Sequence, residues 1–244
     1  MKILALDIET RPAVVYTWKL YQPVIGKDQI IDPGGMFCYT ARWYGKRKIH
    51  FHSDHHDGHK PMLQTLWDLL DTADAVLHFN GTTFDVPHIN REFMVHGFTP
   101  PSPYKQIDLY KTVKRQARFL SNSFDHVLKE LGIEGKETTG GFGLWKACIA
   151  GDPKAWARMR RYNVRDVTQL EDAYNRLLPW IPNHPNVTTY TLTDGCTKCG
   201  STSREKRGFN HTATSRYQRY CCKDCGSFYQ DTKRDAGVAV KQVA

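Results

Sequence analysis

The sequence predicts an α/β domain built on a mixed β-sheet, followed by a small C-terminal module. Buried-strand patterns alternate with helical patterns through residues 1–193, which is typical of an α/β architecture. Five of the 7 cysteines lie in residues 194–244, together with ten basic and five acidic residues of a chain whose net charge is +9. With 244 residues, 40% of them hydrophobic, the chain can form a real core, and its composition excludes a disordered or fibrous protein.

Strand and helix patterns follow in a regular order along the first part of the chain. Lys2–Asp7 is a short apolar run that predicts a buried strand. Met36–Tyr44 and Arg47–His52 predict a hairpin beside that strand, because they are joined by a Gly-Lys turn. Apolar residues recur at helical spacing over Pro61–Thr72, and Ala75–Phe79 predicts a second buried strand.

The rest of the domain continues this alternation. We expect a helix over Val86–His96, a strand over Tyr104–Tyr110 and a helix over Ser123–Leu131 that the next glycine ends. Pro153–Leu178 is the longest helical pattern, and the proline that follows stops it. Strands interleaved with helices in this way predict a mixed sheet flanked by helices.

The domain boundaries follow from proline and cysteine positions. Prolines 179, 182 and 185 predict that the first domain ends at residue 182 and that a linker covers residues 183–193. We expect the cysteine module at 194–232 and a flexible tail at 233–244. Neither a membrane span nor a signal peptide is visible, so we expect a cytoplasmic protein with reduced or metal-bound cysteines.

Four acidic residues stand at or near the ends of predicted elements. Asp7 and Glu9 end the first strand and point to the same side, because side chains two residues apart share a face of a strand. Asp85 follows the second buried strand, and Asp166 lies one helical turn after Tyr162. Each residue alone also fits an ordinary solvated charge.

Three motifs contain these residues in a fixed order: Asp7-Ile-Glu9-Thr10, Asn80-x3-Phe84-Asp85 and Tyr162-x3-Asp166. Over about residues 2–178 the chain resembles the DEDDy branch of the DnaQ-like 3′–5′ exonucleases, within the ribonuclease-H-like superfamily. The second motif is most similar to the proofreading domains of family B DNA polymerases. The resemblance implies a ribonuclease-H-like fold and a free-standing nuclease, of a layout that would suit a bacterial cell or a phage-infected host.

The resemblance also implies two Mg²⁺ or Mn²⁺ ions bound by Asp7, Glu9, Asp85 and Asp166. Hydrolysis of a phosphodiester needs an activated water and a way to offset charge on the leaving oxygen, which two divalent ions supply. Such hard ions prefer carboxylate oxygens. Tyr162 would orient the attacking water or help to deprotonate it, and an ordinary pKa near ~10 favours orientation.

Substrate contacts are implied for Thr10, Asn80 and Phe84. Asn80 could bond the strand near its 3′ end and Phe84 could pack on a terminal base. The alternatives are an Asn that closes a turn and a core Phe. Basic residues also form a stripe on the long helix, where phosphate contact and a solvated face are both open. They are Arg158, Arg161 and Arg165.

Two matching Cys-x2-Cys-Gly sequences predict one structural Zn²⁺ on four thiolates. The ligands are Cys196, Cys199, Cys222 and Cys225. Cys221 is the other candidate at the third position, but only Cys222 reproduces the spacing of the first pair. The segment resembles a zinc ribbon, whose small core needs such a metal to fold.

Basic and aromatic residues alternate between the two cysteine pairs, which suits phosphate contact combined with base stacking. Arg216 and Arg219 are the predicted nucleic-acid contacts. Docking to a replication or repair protein is the competing interpretation, and the aromatic residues could equally form the ribbon's own core.

Five histidines crowd residues 50–59, namely His50, His52, His55, His56 and His59. Their irregular spacing favours a charged loop over a metal site.

The sequence therefore predicts a metal-dependent 3′–5′ exonuclease, with single-stranded DNA as the favoured substrate and a zinc ribbon that helps to hold it. The alternative is a catalytically silent scaffold that recruits DNA or a protein partner through the ribbon. A zinc-ribbon transcription factor would leave residues 1–178 unexplained.

Overall fold

The computed structural model describes residues 1–21, 24–134 and 141–240. The chain divides into two compact units, one formed by Lys2–Ala173 and the other by Tyr174–Ala244 with Met1. The second unit thus begins at Tyr174, ahead of the domain end expected at residue 182.

The first unit contains a main sheet, a short two-stranded sheet and the helices that cover the main sheet. Its strands are β1 (Ile3–Arg11), β2 (Val14–Val15), β3 (Ile30–Asp32), β4 (Gly35–Trp43), β5 (Ile49–Ser53), β6 (Ala75–His78) and β7 (Lys105–Asp108). Its helices are α1 (Asp54–Asp57), α2 (His59–Thr72), α3 (Asp85–Val95), α4 (Leu109–Gln116), α5 (Phe124–Glu130), α6 (Phe142–Ile149) and α7 (Pro153–Leu177), the last of which runs on into the second unit.

The main sheet is mixed, with strand order β5–β4–β1–β6–β7. The β4–β5 hairpin lies beside β1, as the sequence predicts, and the structure shows that β1 and β4 run antiparallel. On its other side β1 pairs in parallel with β6, which pairs in parallel with β7. The predicted α/β fold with a mixed sheet flanked by helices is confirmed. The parallel pairing brings the carboxyl ends of β1 and β6 to one edge of the sheet.

The two faces of the sheet carry separate apolar clusters. Leu4, Leu6 and Ile8 of β1 belong to the cluster that includes residues of α2 and α3. Residues of β4, α6 and α7 form the second cluster. Because side chains alternate along a strand, Asp7 and Glu9 project from the face opposite to the α2 and α3 cluster.

Helix α7 is attached to the sheet by a largely buried ion pair, in which Arg42 Nε donates to Glu171 Oε1 at 2.6 Å. At its other end, Trp156 Nε1 donates to the carbonyl oxygen of Cys148 in α6 at 2.9 Å. The first contact turns the face of α7 that carries Glu171 toward β4, and the second joins the start of α7 to α6. Within the described ranges, no helix combines the length and apolar character needed to cross a membrane.

The structure corrects the sequence prediction at several short elements. The strand predicted over Tyr104–Tyr110 ends at Asp108, because the Asp108 carboxylate caps α4 by accepting from the Tyr110 backbone N–H at 3.1 Å. Helix α6 and the β2–β3 pair were not expected, since elements this short show no clear periodicity.

The second unit contains a 3-10 turn at Leu178–Trp180 and a short sheet around the cysteines. Its elements are α8 (Thr188–Thr191), β8 (Arg204–His211), β9 (Ser215–Cys222), β10 (Phe228–Gln230) and β11 (Ala236–Gly237). β9 pairs with the other three strands, all antiparallel. Helix α8 lies within the expected linker, and β11 lies within the expected tail, of which residues 241–244 fall outside the described part.

Candidate active site and cysteine cluster

Three carboxylates from two distant parts of the sequence converge on the C-terminal half of β1, which runs to Arg11, beyond the strand end predicted at Asp7. One oxygen from each of Asp7, Glu9 and Asp166 lies within 4.8 Å of the others. Asp166 is buried, whereas Asp7 and Glu9 are half-buried. Oxygen donors at this separation fit the ligand preference of Mg²⁺ or Mn²⁺, and the negative charges would repel one another without a cation.

Asp85 contacts the backbone of β1, the strand that carries Asp7 and Glu9. It is the first residue of α3, and its Oδ1 accepts from the backbone N–H of Ile8 at 3.1 Å, between Asp7 and Glu9. Burial raises the pKa of Asp85 to about 6, with nearby Asp108 adding to the rise and backbone hydrogen bonds opposing it. Asp85 therefore lies beside the three-carboxylate group without being a member of it.

Tyr162 lies one turn before Asp166 on α7, and its side chain forms a hydrogen bond with the Asp166 carboxylate. Burial raises the pKa of Tyr162 well above its ordinary value, and the charges of Asp166, Glu9 and Asp7 add to this effect. The phenol is therefore protonated at neutral pH and can donate its O–H. This state suits a group that orients a water molecule better than one that removes a proton.

Sequence reasoning missed Asn163, which is fully buried beside Tyr162. Its Nδ2 donates to Asp7 Oδ2 at 2.6 Å, so α7 holds the first carboxylate of β1 in place. The signal was present in the sequence, because Asn163 precedes Asp166 by three residues and therefore shares its helical face.

The second motif forms the turn between β6 and α3. Asn80 adopts a left-handed conformation with φ of 67°, and its backbone N–H donates to Asp108 Oδ1 at 2.9 Å. Its side-chain Oδ1 accepts from Thr83 Oγ1 at 2.8 Å, so the Asn80 side chain is used in the turn. A Cβ at Gly81 would lie 2.5 Å from the His78 ring, which is why glycine follows Asn80.

Phe84 and Thr10 lie next to the carboxylates along the chain. Phe84 is 42% exposed and contacts His88 at a ring-centroid distance of 4.7 Å, so it is not a core residue. Thr10 pairs with Met36 just after an irregularity that follows Glu9. Bulges of this kind commonly redirect side chains beside active sites.

The three arginines predicted on α7 have different surroundings. Arg165 pairs with Glu134 at 3.1 Å. Arg161 is exposed and lines a cavity of about 610 Å³ with Ile49 and Trp156, and the residues lining that cavity do not include Asp7, Glu9 or Asp166. Arg158 is half-buried on α7.

Comparison with known families finds a match whose fold agrees with the mixed five-stranded sheet flanked by helices. The family RNase_H_2, described as RNase_H superfamily, matches residues 35–178, which is more than half of the chain. The chain belongs to the RNase H superfamily. No curated protein sequence matches it.

The match to the RNase H superfamily contains Asp85, Tyr162 and Asp166, whereas Asp7 and Glu9 precede it. Membership supports a nuclease-type hydrolase that acts on nucleic acid and uses divalent metal ions. The cysteine module lies beyond the matched residues.

Four cysteines of the second unit converge after the RNase H superfamily domain. The Sγ atoms lie within 4.8 Å of one another, with 3.6 Å between Cys196 and Cys225 and between Cys199 and Cys222. Tetrahedral Zn²⁺ with ~2.3 Å bonds places its sulfur ligands ~3.8 Å apart, so the group fits this ion. The group contains Cys222, and Cys221 is outside it.

Each cysteine pair lies in a tight backbone turn that ends at a glycine. Gly200 and Gly226 have φ of 80° and 74°, and their N–H groups donate to the carbonyl oxygens of Cys196 and Cys222. Burial raises the pKa of Cys196, whereas the backbone N–H groups of Cys199 and Lys198 lower it. Such N–H groups stabilise thiolates, which are the form that binds zinc.

The predicted nucleic-acid contacts of the cysteine module lie on its sheet. Arg216 stacks over Phe209 at 4.4 Å and donates from Nε to Asp235 Oδ2 at 2.6 Å. Arg219 lies 5.8 Å from the ring centroid of Phe228, which is 57% exposed. This second pair therefore presents a cation and an aromatic face to the surroundings.

The histidine-rich segment is ordered as β5, α1 and the start of α2. His52 faces Asp57 at 3.4 Å. His59, in contrast, belongs to a group with Glu92 and His96, whose ligand atoms lie within 4.8 Å of one another. The sequence prediction of a charged loop therefore misses an ordered group that contains one of the five histidines.

Proposed function

We propose that this chain is a metal-dependent 3′–5′ exonuclease that removes nucleotides from single-stranded DNA. The observation that carries the proposal is the convergence of Asp7, Glu9 and Asp166 within 4.8 Å in a domain of the RNase H superfamily. The 3′–5′ direction rests on the resemblance of the three motifs to DEDDy exonucleases.

Asp7, Glu9 and Asp166 would hold the metal ions, and Asp85 would contribute from the N-terminus of α3. Two Mg²⁺ or Mn²⁺ ions in such a site lower the pKa of a bound water and offset negative charge on the phosphate and the leaving oxygen. Asn163 donates to Asp7 Oδ2 and would keep that carboxylate oriented for the ions.

Tyr162 would orient the attacking water through its O–H group. Its raised pKa keeps that proton in place, and its bond to Asp166 directs the phenol toward the carboxylates. Phe84 is exposed beside Asp85 and would stack on the terminal base. Stacking of this kind needs an unpaired base, which favours a single strand as substrate. Asn80 and Thr10 lie near the carboxylates along the chain and would help to position the nucleic-acid strand, although the Asn80 side chain is also bonded within the turn.

The cysteine module would bind one structural Zn²⁺ as a zinc ribbon and would hold the strand through Arg216 and Arg219. Arg158, Arg161 and Arg165 remain candidate phosphate contacts on α7. We also propose a reducing, cytoplasmic setting, because four converging cysteines bind Zn²⁺ only as reduced thiolates. A role in replication or repair rests on the resemblance of the second motif to proofreading domains.

The test is digestion of end-labelled single- and double-stranded DNA and RNA with Mg²⁺, with Mn²⁺ or with a chelator. A 3′–5′ exonuclease produces a descending ladder from a 5′-labelled strand and releases the label of a 3′-labelled strand at once. Asp166→Asn should abolish the ladder, whereas Asp172→Asn, an exposed carboxylate on the same helix, should not.

Three outcomes would contradict the proposal. Internal cleavage would indicate an endonuclease, and label released at once from the 5′ end would reverse the direction. Metal-independent binding without any cleavage, unchanged by Asp166→Asn, would favour the catalytically silent scaffold.

A further inference from the structure

Two histidines and a glutamate come together where the start of α2 meets the end of α3. They lie outside the carboxylate group and outside the cysteine group. His59 is the first residue of α2, Glu92 lies in the last turn of α3, and His96 is the residue that directly follows α3. One ligand atom from each of the three lies within 4.8 Å of the others. The group is independent of the proposed nuclease function.

The distances within this group match those of a metal site. Both imidazoles direct Nε2 at the same carboxylate oxygen, Glu92 Oε2, from 3.1 Å for His59 and 3.5 Å for His96. An ion with tetrahedral bonds of ~2.0–2.1 Å separates its ligands by ~3.3–3.4 Å. The two measured distances lie on either side of that value.

The remaining oxygen of Glu92 is held by other partners. Oε1 accepts from the backbone N–H of Met36 at 3.3 Å and from Arg91 Nη1 at 2.8 Å. A Cβ at position 35 would lie 2.7 Å from this oxygen, so Gly35 leaves room for it. The buried carboxylate is thus oriented with Oε2 toward both histidines, as outer partners orient ligands in metal sites.

The histidines are accessible whereas the carboxylate is not. The side chains of His59 and His96 are 24% and 36% exposed, against 5% for Glu92. An ion could therefore enter from solvent and keep a water as its fourth ligand. Two imidazoles and one carboxylate suit zinc, in contrast to the all-oxygen group at Asp7.

We propose that His59, Glu92 and His96 bind a divalent transition-metal ion of the Zn²⁺ class. The bound ion would join α2 to α3 and, through Met36, to the start of β4. The competing arrangement is a buried carboxylate that accepts hydrogen bonds from two histidines and binds no metal.

The test measures Zn²⁺ bound to the full chain at buffered free Zn²⁺, with excess Mg²⁺ present to occupy the carboxylate group. Wild type should bind one Zn²⁺ more than His96→Ala or Glu92→Gln. His126→Ala is the matched control, because His126 also faces a glutamate four residues away, at 3.5 Å from Glu130, and the described part of the chain supplies no third ligand there. That variant should bind as much Zn²⁺ as wild type.

Imidazole nitrogen resonances provide a readout that does not depend on stoichiometry. On addition of Zn²⁺, the Nε2 resonances of His59 and His96 should shift together. Should His96→Ala fold poorly, Glu92→Gln decides, because its amide oxygen can still accept from Met36. Equal Zn²⁺ content in wild type and Glu92→Gln, unshifted His59 and His96 resonances, or an equal loss in His126→Ala would each overturn the proposal.

Discussion

Asn163 Nδ2 donates a 2.6 Å hydrogen bond to Asp7 Oδ2 and so joins α7 to β1 at the centre of the carboxylate group. The same turn of α7 carries Asp166 and Tyr162. One helix therefore supplies a carboxylate, a hydroxyl and the amide that orients the opposite carboxylate. A ligand held in this way loses less conformational freedom when a cation binds.

Replacing Asn163 should weaken the site without removing any ligand. We expect Asn163→Ala to lower metal affinity or activity by 10–100-fold, which is about the effect of losing an outer partner of a metal ligand. Excess Mg²⁺ should restore part of the activity. The measurement is the rate of strand digestion against Mg²⁺ concentration, with Asn90→Ala, an exposed asparagine on α3, as the control. Identical Mg²⁺ dependence in Asn163→Ala and wild type would contradict this role.

Asp85 should make the metal-free protein less stable as pH rises. Its folded pKa of about 6 is above its ordinary value of 3.8, so between these values the folded chain binds a proton that the unfolded chain has released. The contribution of Asp85 to stability is therefore fully present below about pH 4 and is lost as pH rises through about 6. The difference corresponds to roughly 3 kcal/mol.

Thermal unfolding in EDTA at a series of pH values tests this expectation. Asp85→Asn keeps an oxygen that can accept from Ile8, and it should gain stability over wild type as pH rises from about 4 to about 6. The exposed Asp172→Asn should gain nothing. A constant difference between Asp85→Asn and wild type across this range would show that Asp85 does not titrate as expected.

The residues that sequence could predict are those marked by local pattern. Asp7 and Glu9 end an apolar run whose alternation assigns them one face of the sheet, so their proximity follows from β1 alone. The position of Asp166 could not be predicted in this way, because its approach to Asp7 depends on how α7 packs on the sheet, through long-range contacts such as the Arg42–Glu171 ion pair. Local patterns do not contain that information.

The His59 and Glu92 contact is the clearest example of what sequence could not predict. The two residues are 33 positions apart and lie on different helices, each placed by packing against the sheet. Residues 50–59 therefore look like a charged loop when they are considered alone. Phe84 shows a related limit, since a Phe in a short motif gives no sign of whether it is core or 42% exposed.

The two neighbouring cysteines Cys221 and Cys222 allow a matched test of the zinc ribbon. Cys222→Ser removes one of the four converging sulfurs and should unfold the module, because a structural zinc site contributes its binding energy to folding. Cys221→Ser should leave it folded, since that sulfur lies outside the group.

Thiolate-to-metal charge-transfer absorption after Co²⁺ substitution, together with limited proteolysis, reports both effects. The expected pattern is loss of the absorption and rapid cleavage after residue 194 in Cys222→Ser alone. Equal loss in both serine variants would assign a structural role to Cys221 as well.

The exposed pair of Arg219 and Phe228 should contribute to binding of a nucleic-acid strand in two ways that can be measured separately, namely a phosphate contact and base stacking. Arg219→Ala should reduce the salt dependence of binding by about one in the slope of log affinity against log salt, because one phosphate contact is lost. Phe228→Ala should weaken binding by about 1–3 kcal/mol through lost stacking while leaving that slope unchanged. Fluorescence anisotropy of a labelled single strand at several salt concentrations measures both, with the exposed Lys233→Ala as the control. Unchanged affinity and unchanged salt dependence in both variants would contradict binding of nucleic acid by this pair, and docking to a protein would then be the interpretation left to test.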